Sequence, residues 1–353
     1  MKQKIILQKG VFVAFFSFLL FIHVGVNAQQ KQYKVATVAF YNLENLFDTL
    51  DTPDKNDLEY TPEGSNNWDS KKYFTKLENL AEVISQIGSD LTGAPPAIVG
   101  VSELENRAVL EDLVNQPQLK SYDYQIVHYE SPDRRGIDVA LIYQSALFEV
   151  VDTHSAELTI EGKDDFHTRD QLVVSGILDG EKIHFIVNHW PSRYGGEARS
   201  KPLRNAAADL TRSLVDSIMN IQPDAKIMIM GDLNDDPVDE SIMEHLDAKK
   251  SERKTRPGDL FNPFYDMFKK GYGTLAYRDQ WNLFDQIIVS YSLLGEDKST
   301  FKLYQTRVFD RDFLKRESGR YKGYPFRTHA AGIYMGGYSD HFPVYAFLIK
   351  EIE

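Results

Sequence analysis

From Lys226 to Pro237 the chain runs apolar through Ile227, Met228, Ile229 and Met230, turns at Gly231, and ends in Asp232, Asn234, Asp235 and Asp236. Four successive apolar residues call for a strand covered on both faces, and Gly231 frees the backbone where that strand emerges. Asp232 and Asn234 lie two apart, so an extended backbone sets a carboxylate and an amide on one side. These are the donors of a cation site. They are also the residues of an ordinary polar turn, because Asn and Asp bond readily to their own backbone.

The pattern recurs along the chain. A strand over Tyr33 to Phe40 delivers Asn42 and Glu44, and Ala97 to Val101 opens onto Glu103 and Glu105. Asp138 stands at the entrance of Ile137 to Tyr143, and Lys182 to Val187 runs into Asn188 and His189. Asp285 lies within the segment 282–289, and Asp340 and His341 precede a last strand, Val344 to Ile349. Between these strands, Phe74, Leu77, Leu80, Val83, Ile84 and Ile87 recur at helical spacing. A helix also follows Glu105 to about Val114, and another runs from Pro202 to Ile218 with Pro202 near its start. Many short strands with at least three helices predict α/β layers, functional groups gathering at strand ends. No repeat or linker interrupts residues 29–353, which are expected to form one domain.

The chain has no cysteine, so a metal must be held by oxygen or imidazole. Lys2, Lys4 and Lys9 precede an apolar run from Val11 to Val26 that ends in Ala28, the pattern of a secretory signal peptide cleaved after Ala28. An uncleaved anchor is the alternative; no later stretch could cross a membrane. The expected product is secreted or periplasmic, with no transmembrane segment after cleavage. The formal charge is −12, and −15 once the three leader lysines are gone. That balance opposes a protein that coats nucleic acid, yet the segment 307–327 is a local basic strip.

Taken together, Asn42 in YNLENLFD, Glu103 in VSELEN, Asp138 in GIDVALIY, His189 in VNHWPSR, GDLN at 231–234, FDQIIVS at 284–290 and SDHFPV at 339–344 fall in the order found in one superfamily. The chain resembles the endonuclease/exonuclease/phosphatase hydrolases, the deoxyribonuclease-I-like enzymes, and within them a secreted bacterial nuclease-like branch. The resemblance implies a four-layer αββα sandwich of two mixed β-sheets flanked by helices. It implies a divalent cation, Mg²⁺ with Mn²⁺ or Ca²⁺ possible, held by Glu103 with Asn42 and Asp340. Asp285 would orient His341, and Asp138 would pair with His189. Asp232 would position or deprotonate the attacking water, and Asn234 would hold a phosphate oxygen. From motif proximity, Asn188, Arg193 and Arg169 are expected to contact substrate.

Each residue alone has a plainer reading: a strand-end histidine, a polar turn, or, for Glu44 and Glu105, a solvated neighbour of the motif residues. Asp235 and Asp236 read as turn residues and Trp190 as a wall-packing indole. The function expected is a secreted metal-dependent phosphodiesterase, an endonuclease on DNA or RNA, with no stable protein partner. A sphingomyelinase-like lipid phosphodiesterase or a sugar or inositol phosphatase could use the same site, and a binding protein could keep the fold without the chemistry.

Overall fold

A computed structural model describes residues 31–352; the expected signal peptide lies outside the described residues. In chain order the strands are β1 (Gln32–Leu46), β2 (Ile98–Leu104), β3 (Tyr124–His128), β4 (Asp138–Gln144), β5 (Phe148–Ala156), β6 (Gln171–Leu178), β7 (Glu181–His189), β8 (Lys226–Asp232), β9 (Ala248–Lys249) and β10 (Leu260–Phe261). They continue as β11 (Leu275–Tyr277), β12 (Gln280–Asn282), β13 (Asp285–Ser290), β14 (Lys302–Val308), β15 (His329–Ala330), β16 (Ile333–Tyr334) and β17 (Val344–Ile352). The helices are α1 (Ser70–Gln86), α2 (Ser89–Thr92), α3 (Arg107–Val114), α4 (Glu197–Ile221) and α5 (Phe264–Lys269).

Two mixed sheets carry the fold, one in the order β14-β17-β1-β2-β4-β3 and the other β5-β6-β7-β8-β13-β10-β9. The period of two along each central strand decides which face meets what. In β8, Met228 and Met230 pack into the interior between the sheets with Val187, Val38 and Phe40. Ile227 and Ile229 pack on the other side against Ala207, Ala208 and Val215 of α4. In β1, Ala39 and Tyr41 likewise meet Leu77, Leu80 and Ile84 of α1 and Leu110 of α3. Three apolar layers therefore separate helix, sheet, sheet and helix, the αββα sandwich expected from the resemblance. The sheets approach closely: a Cβ added at Gly100 would meet Met230 Sδ at 2.5 Å.

Among the described residues no helix is long and apolar enough to cross a membrane. Two helices differ from the sequence reading. In α1 it is Lys76 that turns inward, 1% exposed, while Phe74 is 55% exposed; the buried stripe is Tyr73, Lys76, Leu77, Leu80, Ala81, Val83 and Ile84. Helix α4 begins at Glu197 and holds Pro202 within it, which removes one intrahelical hydrogen bond.

Candidate active site at the sheet seam

Asp232, the last residue of β8, pairs in register with His189 on β7 and with Asp285 on β13. Paired positions on adjacent strands share a face, so one sheet presents His189, Asp232 and Asp285 side by side. The other sheet supplies Asn42 from β1, Glu103 from β2, and Asp340 and His341 from the turn before β17. Two hydrogen bonds cross the seam: Asn42 Nδ2 donates to Asp232 Oδ2 at 3.0 Å, and His341 Nδ1 lies 2.7 Å from Asp285 Oδ2. Ser339 completes the link, donating to the Asn42 carbonyl at 2.7 Å and accepting from the His341 amide at 3.1 Å.

Asp232 Oδ2 is the hub. His189 Nε2 lies 3.7 Å from it and His341 Nε2 3.8 Å, while Glu103 Oε1 is 3.8 Å from the same His189 nitrogen. Strained backbone holds these groups. The β1–β2 pairing shifts register between Asn42 and Leu46, and Glu44, Asn45 and Glu103 there have φ of 49°, 54° and 58°. Asn234, at φ 51°, bends back so that its amide donates to Asp232 Oδ1 at 3.0 Å. Left-handed non-glycine residues cost energy and concentrate where a site needs a particular aim. The reward at Glu103 is visible: its Oε2 accepts the Asn45 amide at 3.1 Å.

The two histidines are shifted in opposite directions. Burial depresses His189 well below the ordinary imidazole range, and the fields of Arg169 and Arg135 push it further, so it is neutral. Burial opposes charge on His341 too, but Asp285 and Asp232 outweigh it and hold the ring protonated. Asp232 is raised to about 7, first by burial and then by Asp285 and Glu103, with His341 pulling the other way. Glu44 is also raised to about 7 by burial and by Asp340, although Lys76 opposes the shift.

This donor set fits a hard divalent cation. Glu103, His189 and Asp232 each place a ligand atom within 4.8 Å of the others, and the buried carboxylates repel one another where a cation would neutralise them. Such an ion would supply charge neutralisation on a phosphoryl oxygen.

One expected pairing is corrected, and three residues expected to contact substrate are found engaged within the protein. Asp138 does not pair with His189; its Oδ2 lies 2.8 Å from His128 Nε2, and its Oδ1 accepts from the amide and hydroxyl of Ser131. His189 Nδ1 is left buried without a partner. Arg193 spends its guanidinium on the Asn234 carbonyl, Asp235 and Asp239, and lies over the Phe284 ring. Arg169 is 6% exposed and donates to Asp133 and the Trp190 carbonyl. Asn188, fully buried, bonds the Ile186 carbonyl, the Trp190 indole and Thr211. All three are engaged within the protein by neighbouring carboxylates and carbonyls, although Arg169 Nε is left buried without a partner.

Glu44 and Glu105 are buried rather than solvated. Glu44 accepts the amides of Thr328 and His329, and Glu105 accepts the Asp48 amide and the Thr52 hydroxyl. Trp190 is packed in the wall at 1% exposure; Asp235 accepts the Ser241 hydroxyl and pairs with Arg204, and Asp236 accepts the Leu283 amide just before β13. Asn234 donates its side-chain amide to the Trp190 carbonyl at 3.0 Å. Motif reading passed over His128, Ser131 and Lys76, and over Arg135, whose charge reaches His189. The β3–β4 pairing, which sets His128 beside Ala140, is the signal that could have revealed His128.

The sequence profile of the Endonuclease/Exonuclease/phosphatase family matches residues 37–350. The chain belongs to this family. It is accordingly a phosphoester hydrolase, of a family that works with divalent metal. Similar folds include an endonuclease/exonuclease/phosphatase family protein from Bacteroides thetaiotaomicron, with 17% identity over 91% of this chain and 100% of that one and a TM-score of 0.53. The mannosyl-6-phosphatase Bt3783 of the same organism is 18% identical over 89% and 99% of the two chains, with a TM-score of 0.51. D. rerio TDP2 complexed with a single-strand DNA product is 13% identical over 89% and 98%, with a TM-score of 0.51. No curated protein sequence matches the chain.

Proposed function

We propose that the protein is a secreted, Mg²⁺-dependent phosphodiesterase that cleaves DNA or RNA internally. The observation that supports this reading best is the single carboxylate oxygen of Asp232 set between a neutral and a protonated imidazole, 3.7 and 3.8 Å away. Hydrolysis of a phosphodiester needs a base for water and a proton for the leaving oxygen, and this arrangement offers both.

In this reading Glu103 would hold the cation with Asn42 and Asp340 from the same sheet, next to His189 and Asp232, whose ligand atoms lie within 4.8 Å of its own. Asp232, poised near neutrality, takes the proton of the attacking water as its oxygen bonds to phosphorus. His341, kept charged by Asp285, gives its proton to the ester oxygen as the P–O bond breaks on the opposite side. Neutral His189 steadies a non-bridging oxygen, and Asn234 Nδ2, which gives one hydrogen to the Trp190 carbonyl, offers its second. A TDP2 complexed with a DNA product and a mannosyl-6-phosphatase share the fold, so a sugar phosphatase is the competing reading.

The test is hydrolysis by residues 29–353 with Mg²⁺, Mn²⁺, Ca²⁺ or EDTA on plasmid DNA, RNA, inositol phosphates, mannose 6-phosphate and sphingomyelin, with His341→Ala beside it. Metal-dependent nicking that vanishes in the variant is the expected result. Turnover confined to monoesters or lipid would move the substrate class and leave the site in place.

A further inference from the structure

Beside Asp340 and His341 lies a second feature, a cavity of about 290 Å³. Arg278, Arg316, Arg320 and Arg327 line it with a single carboxylate, Asp279. Arg327 reaches Asp340 at 3.5 Å and Arg320 approaches Asp279 at 3.9 Å; among the described residues, Arg278 and Arg316 have no carboxylate partner. Four guanidiniums against the two carboxylates of Asp279 and Asp340 leave Arg278 and Arg316 free to meet an anion, in a chain of formal charge −12.

Tyr277, Tyr321 and Tyr324 supply aromatic surface to the rest of the wall, among alanines and Pro325. Tyr277 is 61% exposed and Tyr321 45%, with Arg278 over the Tyr277 ring at 5.1 Å and Arg320 over the Tyr321 ring at 5.6 Å. The cavity is also braced against the site. Trp281 stacks on Phe342, the neighbour of His341, with ring centres 6.0 Å apart, and Tyr324 meets Trp281 edge-on at 5.6 Å.

Arg278 and Asp279 form the two-residue turn between β11 and β12, since Tyr277 pairs with Gln280. Both are left-handed, at φ 49° and 64°. Hairpin turns of this kind favour Asn-Gly, because each central residue needs positive φ. An arginine and an aspartate there are strained, and such strain points to a function for the tip.

We infer that this cavity is a nucleotide subsite, in which the arginines hold a phosphate neighbouring the scissile one and an unpaired base stacks on Tyr277 or Tyr321. Stacking needs an exposed base face, which a duplex keeps inside itself, so the ligand is a single-stranded segment, a loop or a frayed end. The inference rests on the nucleic-acid reading of the active site and names the form of nucleic acid it takes.

Intrinsic fluorescence reads binding without turnover. The chain has three tryptophans; Trp68 and Trp190 are buried and Trp281 is 37% exposed beside the cavity. The protein in EDTA is titrated with octathymidylate, an abasic oligomer of equal length, a blunt duplex and inositol hexakisphosphate. Octathymidylate should give a saturable change that weakens as salt rises. The abasic oligomer and the duplex should bind about tenfold more weakly or worse.

Arg278→Asn, which suits the turn, should leave Tm and bis-p-nitrophenyl phosphate hydrolysis unchanged while raising the octathymidylate Kd about tenfold, and Tyr277→Ala should do the same. Octathymidylate binding that is equal in wild type and both variants would overturn the subsite. So would abasic oligomer or inositol hexakisphosphate binding as well as octathymidylate, which would leave an anion site only. If the binding signature appears but no nucleic acid is ever cleaved, the endonuclease reading falls and the subsite stands. If nucleic acid is cleaved with unchanged KM in both variants, the reverse holds.

Discussion

His341 Nδ1 lies 2.7 Å from Asp285 Oδ2, and Asp285 is fully buried. The carboxylate fixes which ring nitrogen faces inward and keeps the imidazole charged. Asp285→Asn retains the shape and loses the charge. We expect kcat to fall about a hundredfold to ten-thousandfold, as when a triad carboxylate is neutralised. His341 is raised when folded, so the alkaline limb of the kcat profile should move to lower pH in the variant. A pH profile whose limb stays in place would remove Asp285 from this role.

Asp138 serves a loop rather than a catalytic histidine. It anchors Ser131, the first residue of the segment that carries Arg135, and it is held by His128. Asp138→Asn should lower kcat/KM about tenfold through misplacement of that loop. The His189 resonance, followed by NMR against pH, should titrate unchanged; a moved midpoint would restore the Asp138–His189 pairing.

Arg193 ties the Asn234 carbonyl to Asp235 and Asp239. Removing it strands partly buried carboxylates, and breaking such a pair costs about 3–5 kcal/mol when fully buried, less here because the side chain is 23% exposed. Arg193→Ala should therefore lose several degrees of Tm while kcat/KM of the folded enzyme changes less than about tenfold. A steep rise in KM at unchanged Tm would reinstate substrate contact.

Stability should depend on pH in a stated direction. Burial raises Glu105 from 4.5 to about 7, and burial with neighbouring carboxylates raises Asp232 from 3.8 to about 7. Each contributes in full below its unfolded value and loses that contribution as pH rises through its folded one. His341, also raised, adds the same sign, whereas depressed His189 acts only below 6.5. In EDTA, Tm should fall between pH 6.5 and 8, and Glu105→Gln should flatten part of the slope. Divalent cation should restore more at pH 8 than at pH 6.5, since it binds the ionised site. Calorimetry showing Tm flat or rising across that window in EDTA would contradict the burial argument.

That Ile227 to Met230 and Val35 to Phe40 lie in covered strands was legible from their apolar runs, while the four-layer sandwich itself came from the order of the motifs, the resemblance they carry. Motif order also identified Asn42, Glu103, His189, Asp232, Asp285 and His341, which do meet. Pairing was not legible: which histidine faces Asp138 depends on β3 lying beside β4, and a motif carries no information about lateral neighbours. Nor does a positive charge reveal its partner. Arg193 and Arg169 stand near motifs, yet the chain's own acids and carbonyls engage them. In α1, helical spacing favoured Phe74 over Lys76 because apolarity alone cannot foresee Thr328 and Tyr338 accepting a buried ammonium.

The two bonds across the seam, Asn42 to Asp232 and Asp285 to His341, join strands whose other neighbours lie within separate sheets. Anything gripped there by both sheets acts as a clasp at the open end of the sandwich. Occupancy of the site and slippage between the layers are then opposed, so bulk added at Gly100, three residues before Glu103 on β2, should register first as a loosened grip and only later as unfolding.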